Sequence, residues 1–151
     1  MRLTHTPLVA LATLALPPIL ALAACADSTG VDDIPNIDGN WTFNLTFSSA
    51  DGSCTYDPSA VSISQTGGTF TGRIEIPDAT CTFQGGAPFS LGSWGADIVD
   101  GTVNAAGAVT FAWGSTDTAY HIGTVSGGSM SGSMTSGSGG SAASGTWTAT
   151  R

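Results

Sequence analysis

The chain has 151 residues, and glycine, serine and threonine supply 60 of them. Lysine is absent and three arginines face eleven acids, so charged residues reach only 9%, against about 25% in a typical soluble domain. That excludes a nucleic-acid binder, which needs cations to neutralise phosphates, disfavours a helical bundle, and leaves so little titratable material that no enzyme is expected.

Residues 1–24 read as an export signal. Arg2 forms a short positive start, and residues 8–22 are an Ala- and Leu-rich apolar stretch interrupted by Pro17-Pro18. The apolar run, residues 7–24, is only 18 long with prolines inside it, which is marginal for a membrane span. It ends in Leu22-Ala23-Ala24-Cys25, which resembles a bacterial lipobox. The resemblance implies cleavage before Cys25 and lipidation of its thiol and amine. Two or more chains give stable anchoring where one is marginal.

Cleavage there would leave 127 residues with two arginines and eleven acids, a side-chain charge of −9. This length suits one domain with one core. Residues 25–38 would be the lipidated N-terminus and a polar, acidic tether containing Pro35, and residues 39–151 the folded domain. Ala26-Asp27 departs from the usual inner-membrane retention signal, so the expected location is the outer membrane, facing the periplasm or the cell surface. The two remaining cysteines, Cys54 and Cys81, suit a disulfide in an oxidising compartment. It would close a loop of about 27 residues and contribute roughly 3–4 kcal/mol by the chain-entropy model. No metal or other cofactor is expected: His121 is the sole histidine after residue 25, and no Cys-x-x-Cys pair exists.

From residue 39 onward the hydrophobic period is two. Trp41, Phe43, Leu45 and Phe47 alternate with polar residues, as do Val61 and Ile63, then Phe70, Ile74 and Ile76, then Val109, Phe111 and Trp113, and finally Trp147 and Ala149. Strands with one buried and one wet face give this pattern. Turn signals separate them: Asp51-Gly52, Gly67-Gly68, Gly85-Gly86, Asp100-Gly101, Ala106-Gly107, Gly127-Gly128 and Gly139-Gly140. Residues 127–144 are mostly glycine and serine, yet Met130 and Met134 keep the alternation, so two strands with a loose loop over residues 136–142 are expected. The expected fold is all-β, an antiparallel up-and-down meander of about eight to ten strands closing into a small barrel, since closure removes exposed edges.

Gly39-Asn40-Trp41 opens the first strand and Arg151 ends the last. This pair resembles the lipocalin and avidin relatives, the calycins, whose first strand carries Gly-x-Trp and in many of which a basic residue of the last strand covers that tryptophan. The resemblance implies that Trp41 and Arg151 close one end of the barrel. Thr116-Asp117 is followed by Thr118 rather than the lipocalin tyrosine, and the avidin Gly-Ser step is missing, so biotin binding does not carry over. Small secreted bacterial protease inhibitors also use this barrel, so shape does not fix function.

An eight-stranded barrel is just wide enough to be filled by side chains or to hold one small ligand. The aromatic positions Trp41, Phe43, Phe47, Phe70, Phe111, Trp113, Tyr120 and Trp147 either fill it or line a pocket. Abundant glycine and alanine favour a cavity, with Phe43, Phe111, Trp113 and Tyr120 as its walls. His121 is expected to face solvent, because its parity is opposite to that of Tyr120 and Ile122. Asp97, Asp100 and Asp117 lie at turns, where aspartate serves local hydrogen bonding more often than calcium. Arg73 and Glu75 are expected to form a surface pair of little energetic weight. Two readings of function stand: a lipid-anchored envelope barrel binding a small, largely apolar ligand, or a packed barrel acting as an interaction module, an envelope structural protein or protease inhibitor. The partners are then the membrane, through the lipid, and either that ligand or an envelope protein.

Overall fold

The computed structural model describes residues 33–113, 119–137 and 142–151. The period-two segments form eleven strands: β1 (Gly39–Ser49), β2 (Gly52–Tyr56), β3 (Ser59–Thr66), β4 (Thr69–Ile76), β5 (Ala79–Phe83), β6 (Phe89–Ser90), β7 (Trp94–Val103), β8 (Ala108–Trp113), β9 (Ala119–Ser126), β10 (Ser129–Ser136) and β11 (Ala143–Thr150). All pairings are antiparallel, and β11 pairs with β1 from Thr42↔Thr150 to Ser49↔Ala143. The closed barrel has eight strands in the order β1, β3, β4, β7, β8, β9, β10, β11.

The three further strands continue barrel strands past the rim. Ala60↔Glu75 in β3–β4 and Cys54↔Cys81 in β2–β5 keep one register, so Pro58 and Pro77 fall at the same level of neighbouring strands. Neither has an N–H to give the ladder, and the strands are interrupted there. Across this break the Asp57 amide still donates to the Asp78 carbonyl at 3.0 Å. In the same way β6 continues β7: Leu91 N–H donates to Ala79 C=O at 3.0 Å, and β5–β6 keeps the register of β4–β7. The meander is therefore unbroken in order, and an extension of β2, β5 and β6 rises beyond the barrel. Cys54 and Cys81 are disulfide-bonded across it.

Inward positions are mostly apolar, with Ser59 and His121 as buried polar side chains, and the outer faces of β1, β9, β10 and β11 carry hydroxyl and amide side chains with two exceptions, Tyr120 and Ile122. Glycines at inward positions make room for a neighbouring side chain instead of leaving a void, Gly123 for Trp147 and Gly145 for Phe47. A Cβ on Gly123 would meet the Trp147 ring at 2.7 Å, and one on Gly145 would meet Phe47 Cβ at 2.5 Å. The Trp147 indole fills this space fully buried, and its N–H donates to Ser133 C=O at 3.0 Å. The glycine-rich segment 127–144 thus contains β10 and the start of β11; residues 138–141, within the expected loop, lie outside the described residues.

The lower end is closed by residues expected to be tether. Ile37 is fully buried, and its carbonyl accepts from Trp41 Nε1 at 2.8 Å. Gln65 accepts from the Ile37 amide at 2.6 Å and donates to Pro35 C=O at 3.1 Å. The Arg151 guanidinium lies 4.6 Å from the Trp41 ring centroid and donates to the Asp38 and Asn36 carbonyls. Residues 35–38 thus belong to the barrel, because an open end over Trp41 would leave apolar surface in water. Gly39 enters β1 at φ +114°, a conformation that favours glycine, which accounts for the first residue of the Gly-x-Trp motif.

Candidate ligand site at the open end of the barrel

The inner half of the barrel is filled. Phe43 stacks on Trp147 at 5.6 Å and meets Trp113 edge-on at 5.2 Å. Phe111 stacks on His121 at 4.5 Å, and Trp113 lies 4.0 Å from the same imidazole. The space left between Trp41, Phe43, Phe111 and Trp147 is about 10 Å³, room for one water at most. Phe43 and Phe111 therefore pack the core rather than line a ligand pocket.

Two expectations on β9 are reversed. Tyr120 is 60% and Ile122 59% exposed on the outer wall, whereas His121 is 1% exposed inside. Register decides this: His121 pairs with Phe111 on one side and Met134 on the other, both inward. Tyr120 cannot wall an internal cavity. Neither ring nitrogen of His121 has a hydrogen-bond partner. Burial pushes its pKa down to about 3, opposed only by the nearby Ala119 backbone, so the imidazole is neutral at physiological pH.

The upper half holds a cavity of about 590 Å³, within the range of small-molecule sites, roughly 300–1,000 Å³. Its base is Leu45, Trp113, Ala119 and Met134, all buried. Its aromatic wall is an edge-to-face chain: Phe47 to Tyr56 at 5.6 Å and Tyr56 to Trp94 at 5.9 Å. Both Tyr56 and Trp94 sit next to the strand interruptions that lift the extension above the rim. Desolvation raises the Tyr56 phenol to about 12, so it stays a neutral hydroxyl. On one side the cavity reaches Gly95, Asp97 and Val99 and the Arg73 side chain. Arg73 donates from Nε to Glu75 and from NH1 to Asp97 at 3.0 Å. These bonds, Glu75 first, hold its guanidinium above its ordinary value.

Of the four expected wall residues, Phe43, Phe111, Trp113 and Tyr120, Trp113 alone lines this cavity. Trp41 and Arg151 lie together at the opposite end. Asp97 pairs with Arg73, and Asp100 sits at φ +54° in the irregular part of β7. Cys25 and Asp117 lie outside the described residues. Phe47 and Leu45 were visible in the β1 alternation. Tyr56 shares the parity of Cys54 but is followed by Asp57-Pro58, and Trp94 stands between serine and glycine without alternating neighbours, so neither announced itself as a wall residue. Among the described residues no three His, Cys, Asp or Glu side chains converge on a metal-sized site.

No family model matches the chain, and no curated protein matches it significantly. The closed, eight-strand antiparallel barrel is compatible with a calycin-like barrel.

Proposed function

We propose that the protein is a lipid-anchored cell-envelope barrel that binds a small, largely apolar ligand in its open end. The cavity of about 590 Å³ with its Phe47–Tyr56–Trp94 wall carries this reading. The site is the upper cavity, not the barrel centre expected from the aromatic pattern. The Leu22-Ala23-Ala24-Cys25 sequence supports the anchor, and the Cys54–Cys81 disulfide supports an oxidising compartment. We place the protein in the outer membrane on the sequence after Cys25. Native mass spectrometry of the processed protein from the cells that make it tests the binding. A bound molecule of defined mass is expected; a clean unliganded mass, with no uptake of apolar probes, removes the reading. A second reading, the interaction module, draws on the filled inner half and on Phe83 and Leu91, exposed on and beside the extension. Without small-molecule uptake, the surface around these two residues is the place to look for a protein partner.

A further inference from the structure

On the ligand-binding reading above, we infer that the open-end cavity selects a cationic amphiphile, an apolar body with an ammonium-type head, and discriminates against anionic amphiphiles. Charge at the cavity is the first ground. Arg73 is the one cation lining it among the described residues, and two carboxylates, Glu75 and Asp97, already hold its guanidinium. The three side chains stand on the outward faces of β4 and β7, at the outer edge of the cavity with Glu75 behind its lining, and together carry −1. A carboxylate or phosphate head entering beside Arg73 would approach two carboxylates for one shared cation, whereas an ammonium would meet a net negative site. Among the described residues no second cation relieves this: Arg151 is committed at the far end, over Trp41 and the Asn36 and Asp38 carbonyls, and the chain has no lysine.

The wall chemistry is the second ground. Tyr56 and Trp94 are the kinds of ring that attract cations through their electron-rich faces, tryptophan most strongly. Trp94 is partly exposed, next to the Gly95–Asp97 side where the carboxylate lies. The buried base of Leu45 and Met134 offers only apolar contact, which suits the body of the ligand and not its head. A side-chain charge of −9 after residue 24 also draws cations toward the protein from a distance.

The test is a tryptophan-fluorescence titration of the processed, full-length protein with three ten-carbon probes: decyltrimethylammonium, 1-decanol and decanoate. We expect the ammonium to bind about tenfold or more tighter than decanoate at low salt. The gap should shrink at high salt, because the Glu75 and Asp97 side chains are 59% and 74% exposed. In the double variant Glu75→Gln with Asp97→Asn, which leaves Arg73 unpaired and the site at +1, the preference should reverse toward decanoate while 1-decanol affinity holds. Trp94→Leu should weaken the ammonium more than the alcohol. Binding of decanoate as tight as or tighter than the ammonium overturns this inference and leaves the ligand-binding reading standing. Failure of all three probes to bind overturns both.

Discussion

The Arg151 guanidinium lies 4.6 Å over the Trp41 indole and joins the last residue of the chain to the third residue of the first barrel strand. Its two donors also grip the Asn36 and Asp38 carbonyls, so one side chain seals the barrel and fastens the segment that precedes it. Arg151→Ala should lower stability by about 1–2 kcal/mol. Urea unfolding measures this, and hydrogen exchange should show residues 36–38 opening first. An unchanged midpoint would mean that Ile37 burial alone holds the end.

His121 makes stability depend on pH. In the unfolded chain it titrates near its ordinary 6.5; in the barrel, burial holds it at about 3. Between these values the unfolded state binds the extra proton, so this contribution is complete above pH 6.5 and is lost as pH falls toward 3. The loss is on the order of 4–5 kcal/mol by linkage. His121→Phe should flatten this part of the profile, because the ring stacking on Phe111 survives without two unpartnered nitrogens. Unfolding midpoints at pH 4 and pH 7 decide it: an equal pH dependence in both proteins would assign the effect elsewhere.

Gly123 is where the barrel has no room. A Cβ there would meet the Ser131 carbonyl as well as the Trp147 ring. Gly123→Ala should cost about 1–3 kcal/mol by overpacking. A thermal melt that moves by less than a degree would show that β9 and β10 can part to admit a methyl group.

The Cys54–Cys81 bridge lies beyond the rim, where each strand has fewer neighbours than in the closed barrel. Replacing both cysteines with serine should lower stability by roughly 3–4 kcal/mol for a loop of this length. The amides of β2 and β5 should exchange faster while those of β9 and β10 change little. Uniform acceleration across all strands would show that the extension and the barrel unfold together.

Cys25→Ser should release the protein from membranes during fractionation of the cells that make it. Membrane association that survives this change would remove the lipid anchor from the proposed function.

The strands and the closure were legible because alternation is a local signal. Trp41 to Phe47, Val109 to Trp113 and Trp147 to Ala149 each declare a face without reference to the rest of the chain. The face of β9 was not legible. Its run Ala119-Tyr120-His121-Ile122 offers large apolar groups at one parity and histidine at the other, and local hydropathy favours the wrong one. Phe111 and Met134, ten and thirteen residues away, set the register that turns His121 inward. The open-end cavity was hidden for a related reason. Its wall residues Tyr56 and Trp94 sit at strand interruptions caused by Pro58 and Pro77 facing each other, and only the pairing of distant strands brings them together. Glycine content misled in the opposite sense: in a list of residues it counts as missing volume, but at Gly123 that volume is occupied by the Trp147 ring and at Gly145 by Phe47 Cβ.

Residues 35–38 are fastened at the sealed end, so a proposed anchor at Cys25 would attach next to that end. Between Cys25 and Asp33 only seven residues intervene, at most about 25 Å of extended chain. Lipidation of Cys25, as proposed, would therefore keep residues 35–38 within a short reach of the anchor. On the proposed lipid anchor, the protein would be a receptacle moored by its sealed end.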